Sequence, residues 1–167
     1  MRTFGKMKLS RWDDPDWIAL SHTAQWLYDA MVSSAKLSSC GVIEWRPKQF
    51  KKLSAAMTVD LIESAFQELR ERLYVVYDDD VELALIRSFV RNDDVVTNRN
   101  MMVNVIKAWR QIGSIELKQV VIFELLRLKA EHPDQAIWTH PDMIQTLRTP
   151  PLDPQKWTGY VKDDPFF

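Results

Sequence analysis

The sequence predicts a mainly helical chain with one small antiparallel sheet. Three observations carry this: serine or threonine caps that open apolar stretches at three- and four-residue spacing, β-branched and aromatic runs too short for helices, and a proline-rich final segment. The 167 residues fit one domain of ordinary size, or a small domain with an appendage. At 46% apolar and 11% aromatic there is material for a real core, and the seven tryptophans, spread from Trp12 to Trp157, read as framework residues or contact anchors.

Residues 1–20 read as a basic arm carrying Arg2, Lys6, Lys8 and Arg11, followed by an Asp13–Trp17 turn expected to dock Trp12 and Trp17. Ser21 is a good cap for a helix whose Ala24, Leu27, Tyr28, Met31 and Ala35 make one apolar stripe. After Gly41, Val42-Ile43-Glu44-Trp45 has the composition of a single strand. Pro47 suits a first helical position, and the helix it opens is expected to turn Phe50 and Leu53 inward and to end near Ala55-Ala56-Met57. Thr58 caps a third helix, with Leu61, Ile62, Ala65, Phe66, Leu69 and Leu73 at helical spacing. Tyr74–Tyr77, a polar Asp78-Asp79-Asp80 turn and Leu83–Val90 then read as a hairpin. Helix, strand, helix, helix, strand, strand is the order of a winged helix-turn-helix, so residues 21–92 are expected to form that domain.

Residues 98–131 read as a helical extension: one helix over about Asn100–Ile112, a break at Gly113, and a second from a Ser114 cap to about Ala130. The second is apolar nearly all round. Its excess must be covered either by the winged domain or by a second copy of the chain, in which case Val121, Phe123, Leu125 and Leu128 form a homodimer seam. Residues 132–167 are a Pro- and aromatic-rich tail with a short turn near Asp142–Leu147, and Trp138, Trp157, Tyr160, Phe166 and Phe167 argue that parts of it dock.

Little in the sequence points to catalysis. His22, His132 and His140 fit no metal-ligand spacing, four glycines supply no phosphate-cradling loop, and the contiguous carboxylates at Asp78-Asp79-Asp80 diverge from one another. A single cysteine, Cys40, excludes an internal disulfide and suits a turn residue partly under the core. No apolar run approaches the roughly 20 residues of a membrane helix. The expectation is a soluble intracellular protein, not an enzyme, with no cofactor, no metal and no membrane contact.

A net charge of −1 makes no demand for a polyanionic partner, so binding to nucleic acid depends on local asymmetry. Basic residues gather in the arm (Arg2, Lys6), at the first helix of the helix-turn-helix (Arg46, Lys48, Lys51, Lys52, beside Gln49), and in the helix after the hairpin. There Arg99 and Arg110 lie almost on one line, with Lys107 about 80° round the helix. Lys118, Arg127 and Lys129 form a fourth group. The third helix and the wing are acidic, with Asp60, Glu63, Glu68 and Glu71 on one and Asp78-Asp79-Asp80 and Glu82 on the other. DNA docking therefore falls to the preceding helix, the arm and the following helix, or the partner is a protein.

Leu20-Ser21-His22-Thr23-Ala24-Gln25-Trp26-Leu27-Tyr28, then Leu37-Ser38 to Gly41-Val42-Ile43, then Leu69–Val76 leading into Arg87-Ser88-Phe89-Val90-Arg91-Asn92-Asp93, resemble the winged-helix proteins of actinobacterial phages. These are related to the N-terminal domains of phage replication-initiation or replisome-organiser proteins. The resemblance covers about residues 12–128 and is most specific at Phe89–Asp93. Where that family commonly has a glycine and then a Lys-Gln-Pro-Asn-like stretch, this chain has Asp94 and Thr97-Asn98-Arg99-Asn100, which removes a turn residue and some positive charge. The resemblance implies a double-stranded DNA-binding protein in phage replication or gene control, in the bacterial cytoplasm. Arg46, Lys48, Gln49, Lys51 and Lys52 are expected to hold the DNA backbone, Thr58 to sit at the groove edge, and the arm with Asn98 and Arg99 to add phosphate contacts. The alternative is a phage-encoded adaptor or inhibitor that engages a host or phage replication protein through the acidic helix and aromatic tail.

Overall fold

A computed structural model describes residues 7–92, 96 and 98–157. Arg2, Lys6, Tyr160, Phe166 and Phe167 lie outside the described residues.

The chain enters through a tight helical turn, Leu9–Asp13, and a one-turn helix α1, Pro15–Ile18, capped by Asp14. Of the two tryptophans expected to dock, Trp17 is buried, but Trp12 stays 56% exposed. The entry is held by Arg11, whose guanidinium pairs with Asp29 at 2.6 Å and lies 4.3 Å from the centre of the Trp17 ring. Arg11 is thus structural and not part of a free basic arm. Helix α2, His22–Val32, starts where expected: the Ser21 hydroxyl accepts from the Ala24 amide, and Ala24, Leu27, Tyr28 and Met31 are buried. Ala35 lies beyond the helix end and is exposed.

Strand β1, Val42–Glu44, follows Gly41, whose φ of +86° falls in the left-handed region. Cys40 is fully buried, deeper than the sequence suggested, and burial raises its thiol pKa. Helix α3, Pro47–Lys51, has proline at its first position and ends sooner than its composition implied. Leu53 therefore falls in the turn and is 61% exposed, not inward. Thr58 caps α4, Val59–Glu71, by accepting from the Leu61 amide. Ile62, Ala65, Phe66 and Leu69 are buried, while Leu61, one position off that stripe, is 45% exposed. Helices α2 and α4 pack together, and Glu68 fastens the join by accepting from both the amide and the hydroxyl of Ser21.

Strands β2, Val75–Asp78, and β3, Leu83–Ile86, form the hairpin, and β1 pairs with the far edge of β3, giving the sheet order β1-β3-β2. With three helices on this sheet the arrangement is that of a winged helix-turn-helix. Trp45, just past β1, stacks on Phe66 with centroids 3.6 Å apart and on Phe50, and Tyr77 meets Phe66 edge to face, so one aromatic layer joins the end of β1 to α3, α4 and β2. A second layer of Trp17, Tyr28 and Tyr74 meets edge to face. The third strand is shorter than expected: Phe89–Asn92 is a one-turn helix, α5, despite its strand-like composition. Phe89 and Val90 are buried there as core side chains.

Burial and the neighbouring Asp14 and Asp16 push the Tyr74 phenol up to about 12. An unfolded tyrosine ionises near 10, so the native state holds this proton more tightly. Stability from this group is complete below pH 10 and is lost as pH rises from about 10 to about 12. Tyr77 is shifted the same way and adds to the loss. Melting temperature followed across that interval is expected to fall less steeply in Tyr74→Phe than in the parent.

Helix α6, Arg99–Arg110, is capped by Asn98, and α7, Ile115–Glu131, by Ser114. The apolar excess of α7 is covered within the chain. On one side α5 and β2 pack against it. A segment comprising the turn Ala136–Thr139, helix α8, Pro141–Thr146, and the turn Pro154–Lys156 follows, and its Leu152 amide donates to the Gln119 carbonyl of α7. Val121, Leu125 and Leu128 are buried and Phe123 is half-buried. Of the residues assigned to a homodimer seam, Val121, Leu125 and Leu128 are thus already buried within one copy of the chain, and Phe123 alone keeps part of its ring exposed. Trp138 is buried and Trp157 half-buried, so the tail docks as far as residue 157.

Candidate nucleic-acid interface

In a winged helix-turn-helix, the surface offered to a duplex comprises the helix pair, here α3 and α4, and the hairpin tip. Around α3, Lys48, Lys51 and Lys52 are exposed and have no carboxylate partner among the described residues. Lys36, from the loop after α2, donates to the Gln49 side chain at 2.8 Å. It joins this group across 13 residues, and nothing in the local sequence announces that. Four ammonium groups thus lie on or beside one short helix.

Arg46 does not belong to this free set. Its Nη1 lies 2.6 Å from Glu82 at the hairpin tip and its Nε lies 3.7 Å from Glu44. All three side chains are about half exposed or more, so the pair adds little to stability, but it does engage the guanidinium. Thr58 and Asn98 spend their side-chain oxygens on helix caps, with Asn98 accepting from the amides of Asn100 and Met101.

Helix α4 presents Asp60, Ser64, Gln67 and Glu71 at a spacing that puts them on one face, with Leu61 and Glu63 beside them. Arg70 is half-buried across the Phe66 and Tyr77 rings, with its guanidinium carbon 5.2 Å from the Tyr77 centroid. Every exposed ionisable group from Thr58 to Glu71 is therefore acidic. The hairpin tip adds exposed Asp79, Asp80 and Glu82.

The chain matches no known family model, no curated protein and no solved structure.

The stripe expected on α6 is incomplete. Arg99 and Lys107 are exposed, but Arg110 pairs with Asp142 of α8 at 2.7 Å, and this holds the Asp142 carboxyl below its ordinary range. In the fourth basic group, Lys118 lies 5.4 Å from the Trp109 ring centre and Arg127 is bound to Glu124. The main neighbours of α6 are α8 and the Ala136–Thr139 turn, whereas α3 packs on α4. Among the described residues, no three His, Cys, Asp or Glu side chains gather as a metal site, and no helix is long and apolar enough to cross a membrane.

Proposed function

We propose that the chain binds double-stranded DNA chiefly through the phosphate backbone, with little reading of bases, in phage replication initiation or gene control. The observation that carries this is the cluster of Lys36, Lys48, Lys51 and Lys52 at α3, unmatched by carboxylates in a fold whose first helix-turn-helix helix runs beside the duplex backbone. The phage setting comes from the sequence resemblance. Base readout needs side chains that donate to guanine or pair with adenine in the major groove. The acidic face of α4 supplies few such donors and repels phosphates, so the helix stands off the groove.

Fluorescence anisotropy with duplexes of unrelated sequence, at low and high salt, tests the proposal. Similar affinities for all duplexes, falling steeply with salt, are expected. No binding to any duplex at low salt defeats the reading. A second expectation concerns the wing. Changing Asp79→Asn, Asp80→Asn and Glu82→Gln together removes like charge and releases Arg46, and is expected to tighten duplex binding about fivefold to tenfold, or ~1 kcal/mol. That gain fades at high salt.

The acid face of α4 also favours a second reading, an adaptor that engages a basic protein surface through Asp60, Glu63 and Glu71. On that reading Asp60→Asn with Glu63→Gln abolishes partner capture and leaves DNA affinity no weaker.

A further inference from the structure

At the base of the hairpin, away from its tip, lies a cleft of about 200 Å³ between the N-terminal turn, the ends of β2 and β3, and α7. Four arginines from four parts of the chain line it: Arg72, Arg87, Arg91 and Arg127. Arg87 is the floor. Its Nε and Nη2 meet Glu124 at 2.9 Å and its Nη1 donates to the Leu73 carbonyl at 3.0 Å, with the Arg87 and Glu124 side chains only 17% and 11% exposed. Glu124 also accepts from Nη1 of Arg127 at 3.2 Å, so one carboxylate serves two guanidinium groups. Arg91 is steadied from outside the cleft by Glu131 at 2.8 Å. Arg72 is exposed and has no ion-pair partner among the described residues.

We infer that this cleft binds a compact phosphorylated ligand, its phosphoryl group held by Arg72, Arg91 and Arg127. Each of these guanidinium groups has donors left over. Arg91 and Arg127 are also fixed in orientation by a carboxylate, and pre-set forks of this kind match tetrahedral oxyanions. The lining also includes Asp14 and Asp16, from the N-terminal turn and α1, which are acceptors only. They limit the negative charge the cleft can take and suit a ligand whose far end donates, as a sugar hydroxyl does. The volume is below the roughly 300–1,000 Å³ that encloses drug-sized molecules, which favours a ligand of few atoms. The site is separate from the DNA face: Arg46 and Glu82 mark the tip of the hairpin and Arg87 its base, five residues beyond Glu82 and about 16 Å from it at strand rise.

The test is isothermal titration of the full chain with inorganic phosphate and, separately, with ribose 5-phosphate. Saturable one-to-one binding is expected, weakened at least about tenfold by Arg72→Gln and by Arg127→Gln. Both arginines lie largely at the surface, so a melting curve shows whether each variant stays folded, and the two independent sites guard against one that does not. A tighter fit for ribose 5-phosphate identifies a phosphate ester as the ligand class, and equal affinity identifies the free anion. Loss of binding in Lys48→Gln with Lys51→Gln, but not in the arginine variants, moves the anion to the DNA face and overturns the inference. So does the absence of saturable binding of either compound by about 10 mM. Because the lysine variant reports on α3 and the arginine variants on the cleft, either proposal can fail alone.

Discussion

Replacing Lys48, Lys51 and Lys52 together by glutamine is expected to weaken duplex binding about a hundredfold at low salt. Exposed ion contacts contribute up to roughly 1 kcal/mol each, and three of them amount to about two powers of ten in affinity. The salt dependence is the sharper readout. Each lost phosphate contact removes about 0.9 from the slope of log affinity against log salt, so the triple variant should flatten it by about 2.7. The three side chains are exposed, so the melting temperature should hardly move. The same change at Arg99 and Lys107 is expected to cost less, because it removes two free cations and not three, Arg110 of that helix being already paired with Asp142. If the α3 variant keeps the parent's affinity and slope, α3 does not face phosphate.

Gly41→Ala is expected to be among the most damaging single substitutions for stability. The residue has a φ of +86°, and an added Cβ comes 2.8 Å from Cβ of Phe89 and 2.9 Å from the Ile86 carbonyl oxygen. Neither neighbour yields easily, since the Ile86 amide donates back to the Gly41 carbonyl at 2.9 Å and Phe89 is core. A left-handed non-glycine residue costs roughly 1–2 kcal/mol and overpacking about 1–3 kcal/mol more. The total is roughly 2–5 kcal/mol, read as a lower urea midpoint at unchanged slope. Gly113→Ala is the control: an added Cβ there meets nothing within 4 Å, so little change is expected. A loss below about 1 kcal/mol at Gly41 would mean that the strand junction relaxes around the new methyl group.

The helix starts were legible because capping is local chemistry. Ser21, Thr58 and Ser114 each present an oxygen to an amide three residues on, and each sits where the apolar spacing begins. Where helices stop was less visible. Leu53 and Leu61 look like core residues in the sequence, yet α3 ends at Lys51, and a leucine one position off the stripe of α4 points to solvent. Phe89 and Val90 have strand composition, but the chain leaves the sheet at Ile86 and buries them as one helical turn. The basic surface was the least legible part. Lysines could be counted, but whether a cation is free depends on partners far away in sequence: 36 residues for Arg46 and Glu82, 32 for Arg110 and Asp142, 13 for Lys36 and Gln49. No local pattern encodes those distances.

The position of α7 bears on how the molecule can be cut. The winged domain leans on one side of this helix, where the Arg87–Glu124 pair sits, and the tail is tied to it by the Leu152–Gln119 hydrogen bond. Removing the tail uncovers α6 and frees the Gln119 carbonyl, and removing α7 strips the hairpin base of its cover and leaves the Arg87 guanidinium without its carboxylate. Cutting on either side of α7 is therefore expected to lower the melting temperature of what remains. A shortened version that loses a binding property is to be checked for its fold first, and surfaces on this protein are better mapped by point substitution.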